Sequence, residues 1–255
     1  MPEPVAIEDR NVEHGAIRIL RFNRPDARHA MDTAMLVALV EHLDAAARDD
    51  EVRGVLLAGS GGTFSAGADV REHLDGGAAA RRMELFAAFY EALSTHPLPT
   101  AAAIEGAAVG GGAEAAAACD IRVAGRSAVV RFPGAIYGIP VGAARTTGLV
   151  GLGTAKDWVL SSRDVGADEA LRTGFVQRVV DDGDAEGAAL EWLELVASRQ
   201  RATVERLKRA LNDFAGLPDR VAWENDALRS LHEGGSEQPE LRPGAFGMPG
   251  RSQRA

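Results

Sequence analysis

Short apolar segments alternate with longer segments of helical period along the first two thirds of this chain. In residues 32–47, for example, Met35, Leu39 and Leu43 fall on one helical stripe, whereas short apolar runs bounded by Gly, Pro or polar residues predict buried strands. The predicted strands are 16–22, 54–58, 101–104, 121–124, 128–132 and 175–180, and the predicted helices are 32–47, 78–94, 113–119, one that ends near 150, 154–161 and 167–172. Strands that alternate with helices predict a layered α/β fold.

The last third of the chain has a different pattern. Residues 186–214 and 219–232 are amphipathic and predict two long helices, and from residue 233 the chain is rich in Gly, Pro and Ser and has little periodicity. We therefore divide the chain into a core at 1–183, a helical region at 184–232 that forms a lid or an assembly surface, and a flexible tail at 233–255.

The most informative stretch is 99–120. A short apolar strand leads into Gly110, Gly111 and Gly112, and a run of small residues that predicts a helix follows. The N–H groups at a helix N-terminus have no partner within the helix, and glycine lets another group come close to them. No Lys-Ser/Thr pair follows the glycines, as a phosphate loop requires, so the remaining interpretations are a purely structural turn and a site for an oxyanion beside Glu114.

A second loop supports the oxyanion interpretation. The segment Phe64-Ser65-Ala66-Gly67-Ala68-Asp69 joins a strand and a glycine loop to a turn. Taken alone it predicts only a tight turn. Two backbone donors from different loops, aimed at one point, form the oxyanion hole of acyl chemistry.

Composition and charge narrow the class of protein. The chain has 255 residues, 46% of them hydrophobic, a formal net charge of −9 and a single cysteine, Cys119. The acidic balance argues against binding to nucleic acid or a membrane surface, and one cysteine excludes a disulfide framework. The sequence shows neither a signal peptide nor an apolar run long enough to span a bilayer, so we expect a soluble cytoplasmic protein.

Taken together and in this order, the motifs resemble the crotonase (enoyl-CoA hydratase/isomerase) superfamily. The resemblance rests on Asn23-Arg24-Pro25, on 63–69, on the central stretch through Ala124 and, more weakly, on Tyr137-Gly138-Ile139-Pro140 and Gly174-Phe175-Val176. It implies a spiral of ββα turns whose C-terminal helices build homotrimers or dimers of trimers. It also implies an acyl-CoA thioester as substrate and no separate cofactor or metal, because coenzyme A is part of the substrate.

The resemblance also implies roles for particular residues. The N–H groups of Ala68 and Gly111 would hold the thioester oxygen, and Glu114 would be a catalytic acid and base. Arg24 and Arg28 would meet the CoA phosphates, although a solvated loop is an equal alternative for both. The expected substrate-binding positions are Arg24, Arg28, Ala66, Gly67, Asp69, Gly110, Gly134 and Tyr137.

One departure from the family affects the expected chemistry. Hydratases of this family use two glutamates, and the second would fall at Gly134. Neither Tyr137 nor Arg145 is a compelling substitute, since both lie further along the chain. Glu72 could face the acyl pocket, but an exposed helix face is the stronger expectation for it, and Tyr90 is expected to be a packing residue.

The leading hypothesis is therefore an enzyme that stabilises a thioester enolate and hydrates a 2-enoyl-CoA, with Glu114 as the surviving acid and base. A double-bond isomerase is the second hypothesis, since it needs only one shuttling base, and other lyase or decarboxylase chemistry of an acyl-CoA is also open. A hypothesis of another class is a non-catalytic acyl-CoA-binding protein, because Gly134 has no carboxylate and a Gly- and Pro-rich tail takes the place of the family's last helix.

Overall fold

The computed structural model describes residues 3–230. Its strands are β1 (Val5–Val12), β2 (Gly15–Phe22), β3 (Val52–Gly59), β4 (Thr100–Ile104), β5 (Ala107–Val109), β6 (Ile121–Gly125), β7 (Val129–Arg131), β8 (Val165–Gly166) and β9 (Arg178–Val180). Its helices are α1 (Thr33–Arg48), α2 (Gly76–Ser94), α3 (Gly111–Ala118), α4 (Ala143–Val150), α5 (Leu152–Ser161), α6 (Ala167–Arg172), α7 (Ala185–Ala197), α8 (Arg201–Phe214) and α9 (Leu217–Ser230). Short 3₁₀ turns lie at Pro25–Ala27 and Pro133–Tyr137.

The strands form two sheets. The larger sheet has the order β1-β2-β3-β4-β6-β9, and the smaller has the order β5-β7-β8. In the larger sheet β1 is antiparallel to β2, and the other neighbours are parallel. Parallel neighbours require a crossover connection, which the intervening helices and the smaller sheet provide. The mixed α/β architecture predicted from the sequence is confirmed.

Both faces of the larger sheet are buried. Successive side chains of a strand point to opposite faces, so Ile17 and Ile19 of β2 pack beneath α7, while Leu20 and Phe22 belong to the core that contains α1, α2 and α3. This explains why the central strands are apolar throughout. The helix α7 is thus part of the core packing, and α9 packs against α2 and α4.

Two predictions about individual elements were wrong or incomplete. The sequence did not predict β1, because this edge strand is exposed along most of its length and carries polar side chains on both faces. The single helix predicted at 186–214 is two helices, α7 and α8, separated at residues 198–200. The helix α7 packs on the sheet. Arg201, the first residue of α8, instead donates to the carbonyl groups of Asp49 and Val52, so the chain changes direction between the two helices.

Several predicted features fall partly or wholly outside the described residues. The tail at 233–255 and the last two residues of the helix predicted at 219–232 are among them. Within residues 3–230, no helix combines the length and the apolar character needed to cross a membrane.

A buried arginine fixes the end of α3, the helix that begins at the glycine turn. Arg122 is fully buried and donates to the carbonyl groups of Ala116 and Cys119 at 3.0 and 2.6 Å, and also to that of Phe175. The Ala116 carbonyl also accepts from the N–H of Cys119 at 3.2 Å. The guanidinium adds further donors and ties the C-terminal end of α3 to the loop before β9. Burial lowers the pKa of Arg122 to about 10, which leaves it charged at neutral pH.

We expect Arg122→Ala to lower the free energy of unfolding by about 3–5 kcal/mol, because it removes donors from buried carbonyls and opens a cavity. Urea unfolding followed by circular dichroism measures this loss. Arg10→Ala is the matched control, since Arg10 is exposed and forms one surface ion pair, and it should change the stability by less than about 1 kcal/mol. Equal effects of the two substitutions would contradict the assigned role of Arg122.

Candidate active site

A largely apolar cavity of about 650 Å³, including its open mouth, lies between the 66–70 loop, α2, the glycine turn, the 133–137 turn and α9. The enclosed part of this space is about 90 Å³. The predicted residues that line it are Ala66, Ala68, Gly110, Gly111, Gly134 and Tyr137. Lining residues that the sequence did not single out as site residues include Met83, Phe86, Tyr90, Ile139, Val141 and Leu228.

Two loops meet at the wall of this cavity because glycine permits a very close approach. Gly67 has φ +88° and Gly110 has φ +51°, both in the left-handed region that favours glycine. A Cβ on Gly67 would lie 2.5 Å from the carbonyl oxygen of Val109 and 3.0 Å from the nitrogen of Gly111. Only glycine therefore fits at position 67, and the two predicted loops are in direct contact.

Hydrogen bonds hold the two loops in register. The N–H of Ser65 donates to the carbonyl of Ala107, and the N–H of Val109 donates to the carbonyl of Ser65, each at 2.9 Å. The Ser65 hydroxyl in turn accepts from the N–H of Gly67 at 3.1 Å and donates to the carbonyl of His29 at 2.8 Å. The short strand β5, which the sequence analysis did not predict, is the element that makes this contact.

Two backbone donors remain open at this junction. Within residues 3–230, neither the N–H of Ala68 nor that of Gly111 donates a hydrogen bond to another protein atom. Gly111 is the first residue of α3, and Ala68 and Gly111 line the same cavity. Polar groups at a cavity wall favour a ligand that supplies the missing acceptor.

Asp69 also fixes the position of the 66–69 loop. Its N–H donates to the carbonyl of Met31 at 2.9 Å, and its buried carboxylate accepts from Arg24 at 2.9 Å and from Arg71 at 3.1 Å. Although burial raises the pKa of Asp69, the hydrogen bonds from the two arginines hold it below its usual value. The carboxylate is therefore ionised and anchors the residue that follows Ala68.

The two arginines of the polar loop have different surroundings. Arg24 is partly buried and also pairs with Asp32 at 3.1 Å, so its charge is used within the protein. Arg28 is exposed, has φ +51° and lies beyond the residues that line the cavity. The structure thus gives Arg24 a role in holding the loops together and leaves Arg28 at the surface.

Glu114 lies one helical turn beyond Gly111, but it does not line the cavity. Its carboxylate is 1% exposed and accepts from the Arg145 Nε at 3.0 Å. Arg145 also pairs with Glu224 of α9, whose other oxygen accepts from the N–H of Ala144 at 2.8 Å. Burial raises the pKa of Glu114 to about 7, Arg145 opposes this rise, and the charge of Glu224 adds to it.

This buried cluster is the largest feature that the sequence analysis missed. Arg145 and Glu224 lie 31 and 110 positions beyond Glu114, so no local pattern joins the three. The signal available in the sequence was only that both fall on predicted helices. Glu72 was also misplaced: it lies in a turn, where it accepts from the N–H of Thr33 at 3.1 Å and pairs with Arg82 at 3.3 Å.

Gly134 lines the cavity at the position where the resemblance would place the second glutamate. A Cβ there would lie 2.6 Å from the carbonyl oxygen of Ile139. The tight 133–137 turn therefore excludes any side chain at this position. Within residues 3–230, no Asp, Glu or His lines the cavity, and no group of three His, Cys, Asp or Glu side chains could hold a metal ion.

Glu114 should make the stability of the fold depend on pH. Its pKa is about 7 in the fold against an ordinary value of 4.5, so the protonated form is favoured on folding. Its contribution is then complete below about pH 4.5 and is lost as the pH rises through about 7. We expect the difference in unfolding free energy between the wild type and Glu114→Gln to fall over this window by on the order of 3 kcal/mol.

Urea unfolding at a series of pH values measures this difference. Glu191→Gln is the matched control, since Glu191 is largely exposed, and its curve should run parallel to that of the wild type. A difference between wild type and Glu114→Gln that does not vary with pH would contradict the raised pKa.

Known proteins resemble this chain in sequence and in fold. The profile of the family named "Enoyl-CoA hydratase/isomerase" matches residues 13–233. A short-chain-enoyl-CoA hydratase of Clostridium acetobutylicum is 32% identical over 234 residues, which are 85% of this chain and 86% of that protein.

Solved structures show the same fold. An enoyl-CoA hydratase/isomerase from Xanthobacter autotrophicus Py2 superposes with a TM-score of 0.81 at 26% identity and covers 92% of this chain and 89% of its own. A monofunctional enoyl-CoA isomerase from M. smegmatis superposes with a TM-score of 0.71 at 30% identity and covers 84% and 94%. The matched profile spans most of the described residues and both loops of the cavity, and the chain belongs to the enoyl-CoA hydratase/isomerase family, within the crotonase superfamily.

Proposed function

We propose that this protein is an enoyl-CoA hydratase-like enzyme that adds water to a 2-enoyl-CoA and catalyses the reverse dehydration. The observation that carries the proposal is the pair of unpaired N–H groups, from Ala68 and Gly111, on the wall of one apolar cavity. A thioester oxygen that accepts from both becomes more stable as it gains negative charge.

The chemistry follows from this arrangement. Addition of water to the β-carbon moves the electrons of the double bond toward the thioester oxygen, and the resulting enolate is then protonated at the α-carbon. A preorganised donor stabilises the charged intermediate more than the neutral substrate, so it accelerates the step. The net reaction adds one water and needs no oxidant, reductant or separate cofactor.

We assign the proton transfers to Glu114. A carboxyl group with a pKa of about 7 exchanges protons readily near neutral pH. Glu114 is buried beside Arg145 and does not line the cavity. Proton transfer therefore requires that its side chain moves into the cavity past Gly111, or that a water molecule connects the carboxyl group to the substrate. A single group that takes a proton from water and returns one to the α-carbon compensates for the missing carboxylate at Gly134.

The cavity also suggests how the rest of the substrate binds. Most of its other lining side chains are apolar, and Leu228 of α9 is among them, so we propose a hydrocarbon acyl chain there. Of the two expected phosphate ligands we keep Arg28, whose exposed guanidinium supplies a local positive charge in a chain of net charge −9. Arg24 instead supports the loops.

Isomerisation of an enoyl-CoA is the second candidate. Moving a double bond requires one base that removes a proton and returns it elsewhere, and Gly134 leaves one carboxylate near the site. The similarity to the monofunctional isomerase from M. smegmatis favours this alternative as well. The third candidate is a protein that binds acyl-CoA without turnover. This outcome is expected if Glu114 keeps its ion pair with Arg145 when the substrate is bound.

We further propose a cytoplasmic homotrimer or dimer of trimers. On α8 and α9 four large apolar side chains are 59–88% exposed: Leu207, Leu211, Phe214 and Trp223. The first three are spaced four and three residues apart, so they share one face of α8. An exposed apolar patch of this kind is typical of a protein–protein interface.

Purified protein should consume crotonyl-CoA, measured as loss of the enoyl absorbance and as formation of the hydroxyacyl product. We expect Glu114→Gln to lower kcat by at least about 10²-fold, and wild-type kcat for hydration to rise with pH through about 7 as the base form appears. Glu191→Gln should retain full activity. A shifted double bond in place of hydration would favour the isomerase, and binding without turnover would favour the acyl-CoA-binding alternative.

The assembly can be tested separately. Size-exclusion chromatography with light scattering should give a wild-type mass of three or six chains, and Leu211→Glu should shift the mass toward one chain, because it places a charge in the apolar interface. Ala202→Glu makes the same change of charge on another exposed face of α8 and should leave the mass unaltered. A monomeric wild type would refute the proposed assembly.

A further inference from the structure

Tyr90 occupies a position in the cavity that packing alone does not explain. It lies on α2, is 3% exposed and lines the same cavity as Ala68 and Gly111. A Cβ on Gly111 would lie 3.3 Å from the Tyr90 hydroxyl oxygen, so the hydroxyl is in contact with the first residue of α3. The phenol therefore ends beside one of the two open N–H groups.

The ring of Tyr90 is held on several sides. Phe86 and Phe89 pack against it with ring centroids 5.7 and 5.8 Å away. The Arg145 guanidinium lies over the ring, 4.8 Å from its centroid. Because Arg145 is itself paired with Glu114 and Glu224, the buried charge cluster supports the orientation of the phenol.

The hydroxyl is a free donor. In the part of the chain that the structure describes, the hydroxyl forms no hydrogen bond to another protein atom. It is open to the cavity. Burial raises the pKa of Tyr90 well above its usual value, and the charge of Glu114 adds to this effect. Tyr90 therefore keeps its proton throughout the neutral range, and its hydroxyl can donate a hydrogen bond to a ligand oxygen.

Simple geometry limits how far this donor lies from the amide of Gly111. Bond lengths near 1.5 Å place the N and Cβ positions of a residue about 2.5 Å apart, so the Tyr90 oxygen lies within about 6 Å of the Gly111 nitrogen. Two donors that each lie about 2.9 Å from a shared acceptor are at most about 6 Å apart. The separation is thus compatible with one oxygen atom that accepts from both.

We propose that the Tyr90 hydroxyl is a third donor to the thioester oxygen, beside the N–H groups of Ala68 and Gly111, and that Tyr90 is a catalytic residue. This inference rests on the proposed function, since it needs an acyl thioester in the cavity. It assigns to Tyr90 the stabilisation of the enolate charge, and it leaves proton transfer to Glu114. The site then compensates for a missing carboxylate at Gly134 by holding the enolate more strongly.

The test uses Tyr90→Phe, which removes only the hydroxyl oxygen. Loss of one oxyanion donor lowers the rate by about 10²–10³-fold, so we expect kcat for crotonyl-CoA to fall by about 10²-fold while KM changes by less than about threefold. Ser94→Ala is the matched control, because Ser94 also lies on α2, its buried hydroxyl has no hydrogen-bond partner within residues 3–230, and it does not line the cavity.

A spectroscopic measurement separates the donor role from a structural one. Hexa-2,4-dienoyl-CoA is a conjugated thioester, and its absorbance moves to longer wavelength when its carbonyl oxygen accepts strong hydrogen bonds. We expect a clear shift on binding to the wild type and to Ser94→Ala, and a smaller shift for Tyr90→Phe at saturating ligand. Thermal unfolding of the variants checks that all three proteins are folded.

The outcomes distinguish this inference from the proposed function. If the wild type binds and hydrates the thioester but Tyr90→Phe has the same kcat and the same spectral shift, Tyr90 is not a donor and the proposed function stands. Equal losses in Tyr90→Phe and Ser94→Ala would also overturn the inference. If the wild type binds no CoA thioester, the proposed function fails and the inference fails with it.

Discussion

The contact between the two loops at Gly67 and Gly111 is the constraint on which the site depends. A Cβ on Gly67 would overlap the carbonyl of Val109, so the approach is possible only without a side chain. One loop follows β3 and the other follows β5. The larger sheet, the short strand β5 and the anchor at Asp69 must therefore all be in place for the two amides to face one cavity. The rigid surroundings hold both donors in position before any ligand arrives.

The buried cluster of Glu114, Arg145 and Glu224 connects this junction to the C-terminal helices. It joins α3, α4 and α9 through one guanidinium. Removing a single partner from such a cluster leaves a buried charge unpaired, which is far more costly than breaking a surface ion pair. Burial raises the pKa of Glu114, Arg145 opposes this rise and Glu224 adds to it, and the same guanidinium lies over the ring of Tyr90. The side chains that support the fold therefore also affect the proposed chemistry.

The polar groups that line the cavity include no carboxylate within residues 3–230, so this site differs from one built on two carboxylates. Gly134 leaves one wall without a side chain, and Glu114 is held behind the cavity rather than within it. What remains at the surface of the cavity is a set of donors, the two amides and the phenol of Tyr90. Such a set favours stabilisation of negative charge on an oxygen over direct handling of protons, which agrees with enolate chemistry as the shared basis of the candidate functions.

The sequence by itself determined the α/β class, most helices and central strands, and the two glycine loops, because these depend on local periodicity and on residues that permit unusual backbone angles. It missed β1, since an exposed edge strand has no apolar period, and it joined α7 to α8, since only packing on the sheet shows where the chain turns. Tertiary structure alone decided that Arg145 and Glu224 meet Glu114, that Arg24 is used within the protein and that Tyr90 faces the cavity. These contacts join positions far apart in the chain, and their energies arise from burial and charge pairing that no local pattern records.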